Sequence, residues 1–285
     1  MAGKTKEKDK TVEPRTLPSL LNNQMANYRT YYFSAGQKIL WTAIVITLGG
    51  LVGLVFYGGM FKKDGEATLA TYISNVLVFA VVGIVAAKFF VPVIKKTLQK
   101  RRDNQLKKQF MDLLETLSTS LSAGGTVNDA FLGAASDLRN QYSDNDMIIV
   151  ELDEIIAGLN NGHTIENLLN NLGMRSGNED IENFANVMGN CYRFGGDFKN
   201  VVRKTRDIIS DKMQISEEIN TKLTSNKIQL NAMSLMPVVI VAMIKKSGST
   251  FAENLATPIG AIVTTFAILI FVGAYIWGNK IIDVK

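Results

Sequence analysis

The chain has 285 residues, 47% hydrophobic and only 20% charged, with a formal net charge of +5 and a mean hydropathy of +0.10. Soluble domains carry about a quarter charged residues and disordered chains far fewer apolar ones, so the composition points to a membrane protein. One cysteine, Cys191, and one histidine, His163, exclude a disulfide framework, a thiolate zinc site, a CxxC redox pair and any centre needing two imidazoles.

Residues 1–38 read as a basic tail whose aromatic cluster, Tyr28, Tyr31, Tyr32 and Phe33, fits an interfacial belt. The run 39–61 has no charge and is long enough to cross a hydrocarbon core of about 30 Å at about 1.5 Å per residue. It starts too late and runs too long for a signal peptide. A second run, 69–94, is broken only by Lys88, which is read as snorkelling towards the headgroups rather than serving an ion path. Runs 228–244 and 255–278 complete four spans in two hairpins. Pro92 and Pro237 fall inside spans, where a kink is expected. Gly49 and Gly53 have the spacing of a helix-packing pair.

The hairpin loops carry two lysines each, Lys62 and Lys63, then Lys245 and Lys246. The tail carries seven basic residues, Lys4, Lys6, Lys8, Lys10, Arg15, Arg29 and Lys38. Lys95, Lys96, Lys100, Arg101, Arg102, Lys107 and Lys108 give seven more after the second span. This asymmetry predicts that both termini and residues 95–227 are cytoplasmic, with 279–285 a short closing tail.

Nothing in 95–227 reads as strand. Apolar residues recur at helical spacing, as in Phe110, Leu113, Leu114, Leu117 and Leu121, and then in Ile148, Leu152, Ile155, Ile156 and Leu159. Glycine and Asn/Asp/Ser clusters separate about six such segments. The predicted fold is therefore an all-α integral membrane protein, with four transmembrane helices in two hairpins flanking a cytoplasmic helical-bundle domain.

Three of the helix starts share one pattern: Gly124-Gly125-Thr126, Gly162-His163-Thr164 and Gly195-Gly196-Asp197. Glycine allows the turn and the third residue caps the helix. None of them has the G-x-x-x-x-G-K-[ST] sequence of a phosphate loop. Residues 109–192 hold thirteen acids against Arg139 and Arg175. Of these, Asp144, Asp146, Glu151, Asp153, Glu154, Glu179, Asp180 and Glu182 are read as an acidic surface for a basic protein partner. That surface would repel nucleic acid. No glycine or proline interrupts 93–123 or 197–236, so two stiff helical stems are expected. A helix break between Arg203 and Lys227 would remove that expectation.

Catalysis finds no support. Asp153 and Glu154 are adjacent and point to different helix faces. Cys191 reads as a small core residue and His163 as a turn residue. No catalytic residue, cofactor or metal is expected.

The segments FMDLLETLSTSLSAGGTVNDAF (110–131), AGLNNGHTIENLLNNLG (157–173) and YRFGGDFKNVVRKTRDII (192–209) carry a resemblance. From about Gln109 to Ala242 the chain resembles the type II secretion F-domain family, and its layout resembles the Tad (tight adherence, Flp pilus) platform proteins B and C. Other members carry two such domains, and often Gly-Glu where this chain has Tyr192-Arg193, so the Tad branch is favoured with B and C both open. The resemblance implies a non-enzymatic platform in the bacterial inner membrane. It would engage a cytoplasmic hexameric secretion ATPase, a sister platform protein or itself, and pilin subunits in the lipid bilayer. A transporter or channel, resting on Lys88 and the prolines, and a membrane-anchored signalling adaptor are the alternatives.

Overall fold

The computed structural model describes residues 14–60, 68–247, 254–255 and 257–282. The loop lysines Lys62 and Lys63 and the tail lysines Lys4, Lys6, Lys8 and Lys10 lie outside the described residues. The described elements are strands β1 (Thr16–Pro18) and β2 (Gln24–Ala26) and helices α1 (Ala35–Tyr57), α2 (Leu69–Ser122), α3 (Val127–Arg139), α4 (Met147–Asn160), α5 (Ile165–Ser176), α6 (Glu179–Phe194), α7 (Phe198–Lys246) and α8 (Pro258–Ile282). By length and composition α1, α2, α7 and α8 can each cross a membrane.

The helix ends follow local chemistry rather than the apolar runs. α1 starts four residues before the run, where the Ser34 amide donates to Gln37 Oε1 at 3.3 Å. It stops at Tyr57, because Gly58 is extended and Gly59 sits at φ 87°. α8 starts at Pro258, which has no amide to leave unsatisfied in a first turn, and the Gly260 amide donates to the Thr257 hydroxyl at 3.0 Å. α2 runs through Pro92 and α7 through Pro237 as single helices of 54 and 49 residues. Each proline removes one main-chain hydrogen bond, yet neither ends its helix. Nor does any break occur between Arg203 and Lys227.

The chain divides into two compact units. The first comprises the described residues up to Tyr32 together with Lys96–Met213. Its core is built from Leu106, Phe110, Leu113, Leu114 and Leu117 of α2, Leu138 of α3, Ile148 and Leu152 of α4, Leu169 and Leu172 of α5, Phe184 and Met188 of α6, and Val202 and Ile209 of α7. Fully burying such a side chain stabilises by about 1.5–3 kcal/mol. Phe110 and Phe184 meet edge-to-face at 5.4 Å. Buried Gln109 ties α2 to the start of α4: its Oε1 accepts from the Ile148 amide, and its Nε2 donates to Asp146 Oδ1, both at 3.2 Å. α4 and α5 approach so closely that a Cβ at Gly158 would stand 2.3 Å from Leu168 Cδ2.

Residues 14–32 depart from the expected tail. β1 and β2 pair antiparallel, with Leu17 opposite Met25, and the hairpin lies on α4 and α5. Tyr28 is buried in the core of this unit rather than serving in an aromatic belt. Two three-residue strands give too short an alternation to register as a pattern, and they gain their order from what they rest on.

In the second unit, Phe33–Lys95 with the described residues from Gln214 onward, α1 packs on α2 through glycine. A Cβ at Gly49 would lie 2.6 Å from Ala86 Cβ, at Gly50 2.4 Å from the Phe79 ring, and at Gly53 2.9 Å from Val82 Cβ. The Gly49–Gly53 pair is thus a packing face, with Gly50 beside it. Lys245 Nζ donates to the carbonyls of Phe56 at 3.0 Å and Gly58 at 2.9 Å, placing a cation at the negative end of α1. Tyr57 and Thr265 hydroxyls meet at 2.8 Å. Lys88 and Pro92 are exposed and Pro237 is half-buried.

Candidate functional site

The three glycine turns all end in a capped helix. Gly124 and Gly162 adopt φ 89° and 81°, open to glycine and strained for other residues. The Thr126 hydroxyl accepts from the Asp129 amide at 3.2 Å and the Thr164 hydroxyl from the Asn167 amide at 3.5 Å. Asp197 Oδ1 accepts from the Asn200 amide at 3.1 Å. Gly195, at φ 72°, closes α6, and Gly196 folds back so that its amide reaches the Cys191 carbonyl at 2.8 Å.

The eight acids do not form one surface. Glu151 is 0% exposed and Arg175 3% exposed. The carboxylate receives Arg175 Nη1 on Oε1 at 2.7 Å and Nη2 on Oε2 at 2.6 Å. Glu151 is therefore removed from the acidic surface: as part of the i, i+4 set Glu151, Ile155, Leu159 and a neighbour of Ile148 it lies on the apolar face of α4, where only a paired charge survives. Glu154 is half-buried and accepts from Asn23 Nδ2 at 2.9 Å. Asp146 is half-buried at the start of α4, accepting from the Ser143 amide at 2.9 Å as well as from Gln109. Asp153 is exposed and paired with Arg139. Asp180 is clasped by Lys107 at 2.7 Å and Lys212 at 2.5 Å, joining α6 to α2 and α7. Burial pushes the Asp180 pKa up, but the hydrogen bonds from Lys107 and Lys212 outweigh it and hold the carboxyl below its ordinary value. Asp144, Glu179 and Glu182 are exposed.

Around Glu151 the polar groups converge. Arg175 Nε donates to Asn171 Oδ1 at 2.7 Å, and buried Tyr28 lies beside the Glu151–Arg175 pair, its amide donating to the Arg175 carbonyl at 2.9 Å. Arg102 lies over the Tyr28 ring at 4.8 Å. Burial first, and the Glu151 charge second, push the Tyr28 hydroxyl pKa far up, so it stays a donor. Burial pulls the Arg175 pKa down, but its hydrogen bonds and attraction to Glu151 reverse that and raise it. Sequence reading counted Arg175 only as one of two cations in an acidic stretch. Its place at i+3 from Leu172 and i+7 from Leu168, on the apolar face of α5, was the available signal.

Cys191 is buried, and burial pushes its thiol pKa up, which suits packing rather than nucleophilic attack. His163 is half-buried. Among the described residues, no three His, Cys, Asp or Glu side chains gather into a metal-binding group. The exposed aromatic residues at the α6–α7 corner were not foreseen: Phe194 is 84% exposed, beside Tyr192, whose ring meets Phe198 edge-on at 6.2 Å.

Residues 113–244, from the second half of α2 to the last turn of α7, match the family described as type II secretion system (T2SS), protein F. The chain carries a T2SS protein F domain. No curated protein and no solved structure matches the chain. T2SS protein F domains imply a secretion- or pilus-type membrane platform, and the four helices long and apolar enough to cross a bilayer agree with a membrane protein. Members of that class are generally non-enzymatic.

Proposed function

We propose that the chain is a platform protein of a Tad/Flp-type machine in the bacterial inner membrane, of the B or C kind, coupling a cytoplasmic hexameric ATPase to pilin extraction and fibre assembly. The observation that carries this reading is the F domain at 113–244 combined with candidate spans before and after it. Both termini and residues 95–227 are cytoplasmic in this reading, supported by the Lys95–Lys108 cluster beside the apolar run of α2. Partners are the ATPase, a sister platform protein or a second copy, and pilin in the bilayer. Of the eight acids, Asp144, Asp153, Glu179 and Glu182 are exposed and available to a basic ATPase surface. The unbroken run of α7 from Phe198 to Lys246 supports the stiff-stem idea.

Deletion of the gene tests this reading. Pilin should accumulate in the inner membrane, fibres should be lost, and the intact chain should restore both. Normal fibres in the deletion strain would contradict it.

A further inference from the structure

We propose that the groove between α4 and α5 is a peptide-recognition site for an extended, tyrosine-bearing segment, that residues 14–30 occupy it in cis as a latch, and that an opened groove accepts the same segment from a second copy. The contacts are those of peptide recognition, directed mostly at backbone. The Tyr28 amide donates to the Arg175 carbonyl at 2.9 Å, and Gln99 Nε2 donates to the Tyr28 carbonyl at 2.8 Å. Arg175 Nη1 reaches the Ala26 carbonyl at 3.4 Å, and Asn171 Nδ2 reaches the Pro18 carbonyl at 3.5 Å. Arg29 Nε donates to the Met174 carbonyl at 2.7 Å, crossing the end of α5 where a Cβ at Gly177 would be 2.8 Å from Arg29 Cγ. The segment's main apolar anchor is Tyr28, 5% exposed, whose ring belongs to the core of the unit.

The same geometry makes the latch releasable. Glu151 and Arg175 pair through two hydrogen bonds, and Asn171 holds Arg175 Nε, without help from the segment. Withdrawal of Tyr28 therefore leaves no lone charge in the groove, which is the costly outcome when a buried pair is broken. The segment has little order of its own, since a two-stranded hairpin this short is marginal in water. Segments of this kind open locally while the core stays closed. A tethered occupant acts at roughly millimolar effective concentration, so the cis segment excludes a free one until its anchor is weakened.

The test uses the full chain in detergent. Hydrogen exchange should show the amides of Gln24–Arg29 opening faster than those of Leu152, Ile155 and Leu169. Asn23→Ala, which loses the bond to Glu154, should speed the segment's exchange by about three- to tenfold and leave those core amides unchanged. A labelled synthetic peptide of residues 14–30 should bind the Tyr28→Ala chain and not the wild type, and a peptide carrying Tyr28→Ala should bind neither. Segment and core amides exchanging in step, in wild type and in Asn23→Ala, would overturn the latch. A Tyr28→Ala chain with a fast-exchanging segment, an intact core and no peptide binding would overturn the recognition site. Should Tyr28→Ala unfold the core as well, the segment would be a structural part of the unit and the proposal would fall.

Discussion

Glu151 and Arg175 lie on facing helices, α4 and α5, and meet side-on through two hydrogen bonds of 2.7 and 2.6 Å with almost no solvent access. Removing one partner strands the other charge in the core. Arg175→Ala or Glu151→Ala should therefore destabilise the first unit by about 3–5 kcal/mol, whereas the double change Glu151→Leu/Arg175→Met should cost far less. Thermal unfolding of the full chain in detergent, compared across the four proteins, checks this. Equal losses in the single and double variants would show that the pair contributes more than its own neutralisation.

Asp180 gives a pH dependence with a definite sign. Its folded pKa is held below the ordinary 3.8, so its contribution is present above pH 3.8 and is lost as pH falls through the lower folded value. For Lys212 the hydrogen bond and attraction from Asp180 raise the folded pKa above 10.5, so that contribution is present below pH 10.5 and fades as pH rises through the raised value. Asp180→Asn should cost about 1 kcal/mol near neutral pH, a modest figure because Lys212 is half exposed and screened. The cost should shrink as pH falls below 3.8. Unfolding followed from pH 3 to 8 measures it, and a cost independent of pH would contradict the assignment.

Gly50 faces the Phe79 ring so closely that an added side chain overlaps it, and either the ring or the helix must shift. Gly50→Leu should weaken the α1–α2 contact and lower the amount of folded protein recovered from membranes. Gly273→Ala, at a position with nothing within 4 Å of the added carbon, should be silent. Detergent melting with monodispersity as the readout separates the two, and a silent Gly50→Leu would mean that the packing face is dispensable.

Much of the helical layout was legible because apolar periodicity and glycine turns are local signals. Leu113 and Leu117 mark the buried stripe of α2, and Thr126 and Thr164 mark the starts of α3 and α5 where the structure caps them. The F domain at 113–244 was legible for the same reason, since its motifs are these turns and stripes. The partner surface was not. Charge counts treat Glu151 and Asp144 alike, although one is paired in the core and the other is exposed, and only three-dimensional packing separates them. Tyr28 was misread because its partners, Arg175 and Gln99, are distant in sequence and its own strands are three residues long.

The proposed function requires the chain to dock a secretion ATPase through its acidic face. Detergent co-purification of the full chain with that ATPase, at low and high salt, tests it most directly. Binding should be salt-sensitive and should be lost when Asp144, Asp153, Glu179 and Glu182 are changed together to lysine, in a chain that still melts like the wild type. Absence of binding by the wild-type chain at low salt, with the sister platform protein also present, would contradict it.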